Sequence, residues 1–172
     1  MRPLSIPVTD ADHVLGRLDA PVILVEYGDY DCPHTRRAHA NLQQLMAEND
    51  AQLALVFRQF PLRHLHQNAQ ALALLMRAID DEPSFWLAHA RLMAEPRMSL
   101  ELGAELLGDL GLDVRALAAR QHETALLVEA DVQRGLSDGV HSTPSFFFNG
   151  APHDGHYDLD SLRERLAKAP AR

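Results

Sequence analysis

One cysteine, Cys32, closes the stretch Val22-Ile-Leu-Val-Glu-Tyr-Gly-Asp-Tyr-Asp-Cys32-Pro-His-Thr35, in which an apolar run gives way to an acidic turn and then to residues that begin a helix. A thiol in the first turn of a helix faces unsatisfied backbone N–H groups and the positive end of the helix dipole, and both favour the thiolate. The thiolate is the nucleophilic form, so this placement predicts a reactive sulfur. His34, as a proton or hydrogen-bond donor, and the Thr35 hydroxyl one turn on are placed to stabilise the anion. Asp29 and Asp31 oppose it, and Arg36 and Arg37 partly offset them. A chain with a single cysteine forms no internal disulfide, so the sulfur must act on another molecule. Glu26 stands in an otherwise apolar strand, where an unpaired carboxylate is costly; a raised pKa or a partner is expected there.

These residues need elements to hold them. Val22 to Tyr27 is β-rich and nearly continuous in apolar character, as in a strand buried on both faces, and Pro21 marks its start. Pro33 fits the first helical position, and Ala38, Leu42, Leu45 and Met46 recur at helical spacing, which predicts a helix from about Pro33 to Asn49. Leu53 to Phe57 is a second strand, so the helix reads as a crossover between parallel neighbours. Before them, Met1 to Ala20 is a polar, proline-punctuated lead-in with at most a short edge strand at Ile6-Pro-Val. From Leu65 to about Ser137 only helical stripes occur: Ala69, Leu72, Ala73, Met76 and Ile79, then Phe85, Trp86, His89, Leu92 and Met93, then Leu102, Leu106 and Leu110. Gly111 reads as a stop, Asp113 as a fresh start, and a last helix runs from about Glu123 towards Gly139. Asp80-Asp81-Glu82 reads as a polar loop. Asn149-Gly150 predicts a tight hairpin, and Leu159, Leu162 and Leu166 a final helix with Ser161 to Glu164 as a capping box inside its first turn, before a polar end.

At 172 residues and a formal charge of -8 the chain suits one domain with a core, and its acidity disfavours nucleic acid and anionic membranes as partners. No apolar stretch reaches the ~7 to 15 residues of a secretory signal or the ~18 of a membrane span, which reads as cytoplasmic. His64, Leu65 and His66, with His153 and His156, are a weak metal signature. No second cysteine or His-Glu-x-x-His pattern completes it, so these histidines read as solvated or packing and no metal is expected.

Taken together, Ala20-Pro21-Val22, Glu26 six positions before the cysteine, Cys32-Pro33-His34, Phe57-Arg-Gln-Phe-Pro61, Phe85-Trp86 with His89, and Gly139-Val-His-Ser-Thr-Pro-Ser-Phe-Phe-Phe-Asn-Gly150 span nearly the whole chain. In order and separation they resemble the thioredoxin superfamily, and more narrowly its DsbA-like branch of disulfide-bond oxidoreductases. The resemblance implies an α/β, thioredoxin-like fold with a central mixed sheet and an inserted all-helical subdomain: residues 1–63 and 138–172 form the thioredoxin-like domain and 64–137 the insertion. It implies a cis bond between Thr143 and Pro144. It makes Cys32, His34, Thr35 and Glu26 catalytic, with Glu26 the buried acid that shuttles protons beneath the cysteine. Pro33, Thr143 and Pro144 become substrate-binding, the Thr143 backbone pairing with an extended substrate. No bound cofactor is implied.

The chain departs from that pattern at Thr35, where disulfide-exchanging members carry the resolving cysteine, and at Ser142, where many relatives have glycine. Without the second thiol it cannot expel a mixed disulfide unaided. The expected activity is therefore a monothiol oxidoreductase whose adduct is resolved by an external thiol such as glutathione, acting on a protein disulfide or glutathione adduct. The alternative is a redox-inactive protein that binds a peptide or protein partner beside the X-Pro loop, alone or as a homodimer. A cysteine peroxidase passing through sulfenic acid is a third reading, and an iron–sulfur ligand role is disfavoured by Pro33-His34.

Overall fold

The computed structural model describes residues 1–9 and 11–169; the polar end of the chain at 170–172 lies outside them. Its centre is β2 (Val22–Gly28), buried along its whole length, beside the equally buried β3 (Leu53–Gln59). The two strands run parallel, Val22 opposite Leu53 and Gly28 opposite Gln59, and the helix between them, α1 (Pro33–Glu48), is the crossover that a parallel pair requires. On the other side of β2, β4 (Ser145–Phe148) pairs antiparallel and continues into β5 (Ala151–His153). Asn149 and Gly150 have φ of 47° and 79°, the left-handed pair that a tight hairpin needs. With β1 (His13–Leu15) antiparallel to β3, the sheet is mixed and ordered β1-β3-β2-β4-β5.

Between β3 and β4 come α2 (Ala69–Arg77), α3 (Glu82–Met93), α4 (Leu100–Asp109), α5 (Val114–Ala119) and α6 (Gln121–Ser137). Leu72, Met76, Phe85, Leu92 and Leu107 form their core, and Tyr30 and Phe57 join it to the sheet. A second core lies under α1 and α7 (Leu159–Ala167), where Leu24, Leu42, Leu53, Phe148 and Leu162 meet; a third, around Tyr27, Phe60, Val140 and Phe147, covers the opposite face.

Three local expectations are corrected. The edge strand is His13–Leu15 and not Ile6-Pro-Val: Pro7 has no N–H to give a ladder, and the Ile6 and Pro7 carbonyls instead accept from the Arg58 guanidinium, itself buried in an ion pair with Asp12 at 2.8 Å. The lead-in is thus tied down, with Arg2 and Leu4 also donating to the Asp138 and Gly150 carbonyls. Asp80, Asp81 and Glu82 are structured and not merely a polar loop. Asp80 pairs with Arg120, Asp81 caps α3 through Ser84 N–H, and Glu82 accepts from Trp86 Nε1 and faces His13 Nδ1 at 2.8 Å. Ser161 lies inside the first turn of α7 as expected, but the cap is Asp158, whose carboxylate accepts from Ser161 N–H.

Candidate functional site

Cys32 occupies the cap position of α1 with extended backbone (φ −75°, ψ 119°), and Pro33 follows where a missing N–H costs nothing. Its N–H donates to Asp29 O and its carbonyl accepts from Arg36 N–H, so the thiol is carried by a turn closed at both ends. The side chain is 3% exposed, and the Sγ–H donates to the Thr143 carbonyl at 3.4 Å. The Thr143–Pro144 peptide bond is cis, and it brings the loop before β4 against the start of α1.

The turn in front of the thiol is braced by its two acids. Asp29 is buried and its carboxylate accepts from Asp31 N–H (2.8 Å) and Leu62 N–H (3.0 Å), with His66 Nδ1 at 2.7 Å. Asp31 accepts from both the backbone N–H and the side-chain amide of Asn68. The segment after β3 is thereby fastened to the turn before Cys32. Arg36 donates to the Tyr30 carbonyl, while Arg37 reaches His34. His66, which reads in the sequence as solvated or packing, is a positioning residue of this turn. Its signal is indirect: a buried acid beside the thiol needs more donors than the neighbouring Asp31 N–H supplies.

Two roles expected from the sequence are altered. Thr35 is fully buried, and its hydroxyl accepts from Asp29 N–H at 3.4 Å, so it helps to close the turn. His34 is exposed, and its Nδ1 lies 2.9 Å from both the Tyr157 hydroxyl and Arg37 Nη2. Arginine only donates, so that nitrogen accepts and carries no proton in this arrangement. The imidazole is held by Tyr157, a residue that the sequence does not single out.

Glu26 lies on β2 opposite Phe57 and Phe146, 1% exposed, and neither carboxylate oxygen has a hydrogen-bond partner. Burial alone pushes its pKa up to about 8, so near neutral pH the group is an acid with a proton to give. Thr143 is buried with its hydroxyl unpaired. Its carbonyl accepts the hydrogen bond of the Cys32 thiol. Between this loop, β5 and Tyr157 runs a cleft of about 320 Å³ lined in part by His141, Pro144, His153 and Asp154.

Elsewhere, His153 packs on Phe148 and bonds the His156 carbonyl, and His64 is exposed. Among the described residues, no group of three or more His, Cys, Asp or Glu side chains is placed to hold a metal ion, and no helix is long and apolar enough to cross a membrane.

The sequence model of the thioredoxin family matches residues 8–168. Among curated proteins, the chain is 34% identical over 170 residues to the Na+/H+ antiporter NhaA 1 of Salinispora arenicola, covering 96% of this chain and 26% of that protein. It is 36% identical over 169 residues to the Na+/H+ antiporter NhaA of Nitrosospira multiformis, covering 95% and 27%. The chain thus spans about a quarter of the length of these curated relatives. Among solved structures, a thioredoxin-like oxidoreductase from Silicibacter pomeroyi superposes with a TM-score of 0.83 at 24% identity, covering 94% of this chain and 93% of that one. BdbD from Bacillus subtilis superposes with a TM-score of 0.80 at 22% identity, covering 98% of each. At these identities the likeness is one of fold.

Proposed function

The chain belongs to the thioredoxin family, in its DsbA-like branch, and we propose that it is a thiol-disulfide oxidoreductase working through the single thiol of Cys32. The observation that carries the reading is the pairing of that thiol, at the cap of α1, with the Thr143 carbonyl of the cis-proline loop. The Cys32 thiolate attacks one sulfur of a disulfide; a new S–S bond forms to that sulfur, and the other leaves as a thiolate that takes up a proton. Thr35 cannot attack the adduct, so an external thiol such as glutathione does, forming a disulfide with the substrate sulfur and returning Cys32 as thiolate. Glu26 supplies and recovers the proton beneath the thiol. Pro33, Thr143 and Pro144 form the substrate wall, and His34, held by Tyr157, borders it.

Intact mass after exposure to oxidised glutathione tests this. A single glutathione adduct that excess reduced glutathione removes, absent in Cys32→Ser, is the expected result; an unmodified wild-type chain refutes it. Thr35→Cys should convert the adduct into an internal disulfide, so that the substrate sulfur is released without the external thiol, which is then needed only to reduce that disulfide.

A second reading draws on the curated relatives, in which sequence like this forms about a quarter of an Na+/H+ antiporter. Here the groove by Pro144 binds such a membrane protein without redox chemistry. Cys32→Ser should then bind a detergent-solubilised antiporter core as tightly as wild type, and loss of binding in that variant counts against it.

A further inference from the structure

The cleft beside the cis-proline loop carries groups that the proposed chemistry leaves idle. Pro144, Phe146 and Met1 give its lining of about 320 Å³ an apolar part. Its polar donors are largely spent within the chain. The Tyr157 hydroxyl donates to His34 Nδ1 (2.9 Å), His153 Nε2–H to the His156 carbonyl (2.8 Å) and the Ser145 hydroxyl to the Ser142 carbonyl (2.8 Å). Its one carboxylate is not spent. Asp154 is 74% exposed and, among the described residues, accepts no hydrogen bond; the cation that approaches it is the Met1 ammonium, 3.8 Å from Oδ1 and beyond hydrogen-bond reach. A cleft whose donors are committed and whose acid is spare is complementary to a ligand that brings both a donor and a positive charge.

The neighbouring charges leave that balance in place. Arg37, which meets this rim from α1, donates to His34 Nδ1 at 2.9 Å, and Asp158, next to Tyr157, is used in capping α7. The loop also directs a side chain here. An extended segment pairing with the Thr143 backbone sends alternate side chains to opposite sides, and Pro144, the next residue, is where the cleft begins.

We propose that this cleft is a specificity subsite for a lysine or arginine beside the substrate cysteine, with Asp154 as the specificity-determining residue. The subsite rests on the reading of Cys32 as the nucleophile and adds no covalent step of its own. The hydrocarbon stem of the basic side chain covers Pro144, Phe146 and Met1 while its head reaches Asp154, the usual division of a long cationic side chain between apolar surface and water. The head displaces the Met1 ammonium, whose contact is too long to be a hydrogen bond. A norleucine covers the same apolar surface and leaves the carboxylate unanswered; a glutamate meets it with like charge.

Symmetrical disulfides of a short blocked peptide test this. Only the residue beside the cysteine changes, to lysine, norleucine or glutamate, on either side of the cysteine in turn. Every attack by Cys32 then gives the same kind of adduct, and its rate of formation in the full chain is followed by intact mass. On one side, lysine should exceed norleucine by about two- to fivefold, the range of an exposed ion pair, with glutamate slowest. The ratio of lysine to norleucine should fall towards one in Asp154→Asn and in high salt, and recover in Asp154→Glu. Equal rates for lysine and norleucine on both sides overturn the subsite. So does a lysine preference that survives Asp154→Asn, which is general steering by the chain's charge of -8. No adduct from any peptide refutes the proposed function instead, and the subsite is then judged on binding alone. Serine-for-cysteine peptides titrated into Cys32→Ser, read from the amide shifts of Asp154 and Tyr157, should show the same lysine preference, and equal affinities overturn it.

Discussion

Asp29 and Glu26 are carboxylates three residues apart, each 1% exposed, yet they are handled in opposite ways. Asp29 sits where β2 has ended and the backbone turns, so free N–H groups of Asp31 and Leu62 and the ring of His66 converge on it. Glu26 sits inside the strand, where every backbone donor is already committed to the ladder, and nothing is left for it. Burial alone therefore does not decide whether an acid is structural or chemical; the supply of donors does. A satisfied carboxylate holds the thiol turn in shape, and an unsatisfied one keeps its proton.

The sharpest way to break this contrast is Asp29→Ala. It strands the buried Leu62 N–H and the part-buried Asp31 N–H and unhooks His66, so the expected cost is about 3 to 4 kcal/mol, from ~1–3 kcal/mol per orphaned group. The urea midpoint should fall with an unchanged slope. A loss below about 1 kcal/mol would mean that the turn holds itself and that Asp29 is no anchor.

Glu26→Gln should act in the opposite direction. The folded pKa of about 8 lies above the ordinary 4.5, so between those values the native state holds a proton that the unfolded chain has lost, and wild-type stability falls as pH rises. His39, lowered to about 4 from 6.5, has the reverse effect below 6.5, which leaves pH 6.5 to 8 as the clean window. Across that window the glutamine variant should lose less stability than wild type, and above pH 8 it should be the more stable by on the order of 3 kcal/mol, a discounted conversion of the shift. Parallel stability curves for the two proteins would show that the carboxyl is not buried unpaired.

What the sequence makes legible follows the same division. The apolar run of β2, Pro33 at the start of α1 and Asn149-Gly150 at the hairpin are local signals, because each depends on the conformational habits of neighbouring residues. Glu26 is legible too, since a lone acid in an apolar strand announces its own discomfort. The partners of Asp29 and His34 are not. His66 meets Asp29 across 37 positions and Tyr157 meets His34 across 123, contacts that exist only after the sheet and its insertion have packed. His13 joining Glu82 across 69 positions, and with it the strand at His13–Leu15, is hidden for the same reason. The contact of the Thr35 hydroxyl with Asp29 N–H, six positions back, is likewise visible only once the turn has closed.

Asp31 offers the mildest test of the contrast, because it lies between the two extremes. It is only partly buried, and its carboxylate accepts from the backbone and the side-chain amide of Asn68. If donor supply governs structural worth, Asp31→Ala should cost about 1 kcal/mol, since water can reach the donors it abandons. Asp31→Asn, which keeps an acceptor oxygen for Asn68 N–H, should cost about half of that. Urea denaturation of the two variants beside Asp29→Ala measures the series directly. Equal losses from Asp31→Ala and Asp29→Ala would place the brace in the fastening to Asn68 and not in the buried acid, and would reverse the ranking of the two aspartates.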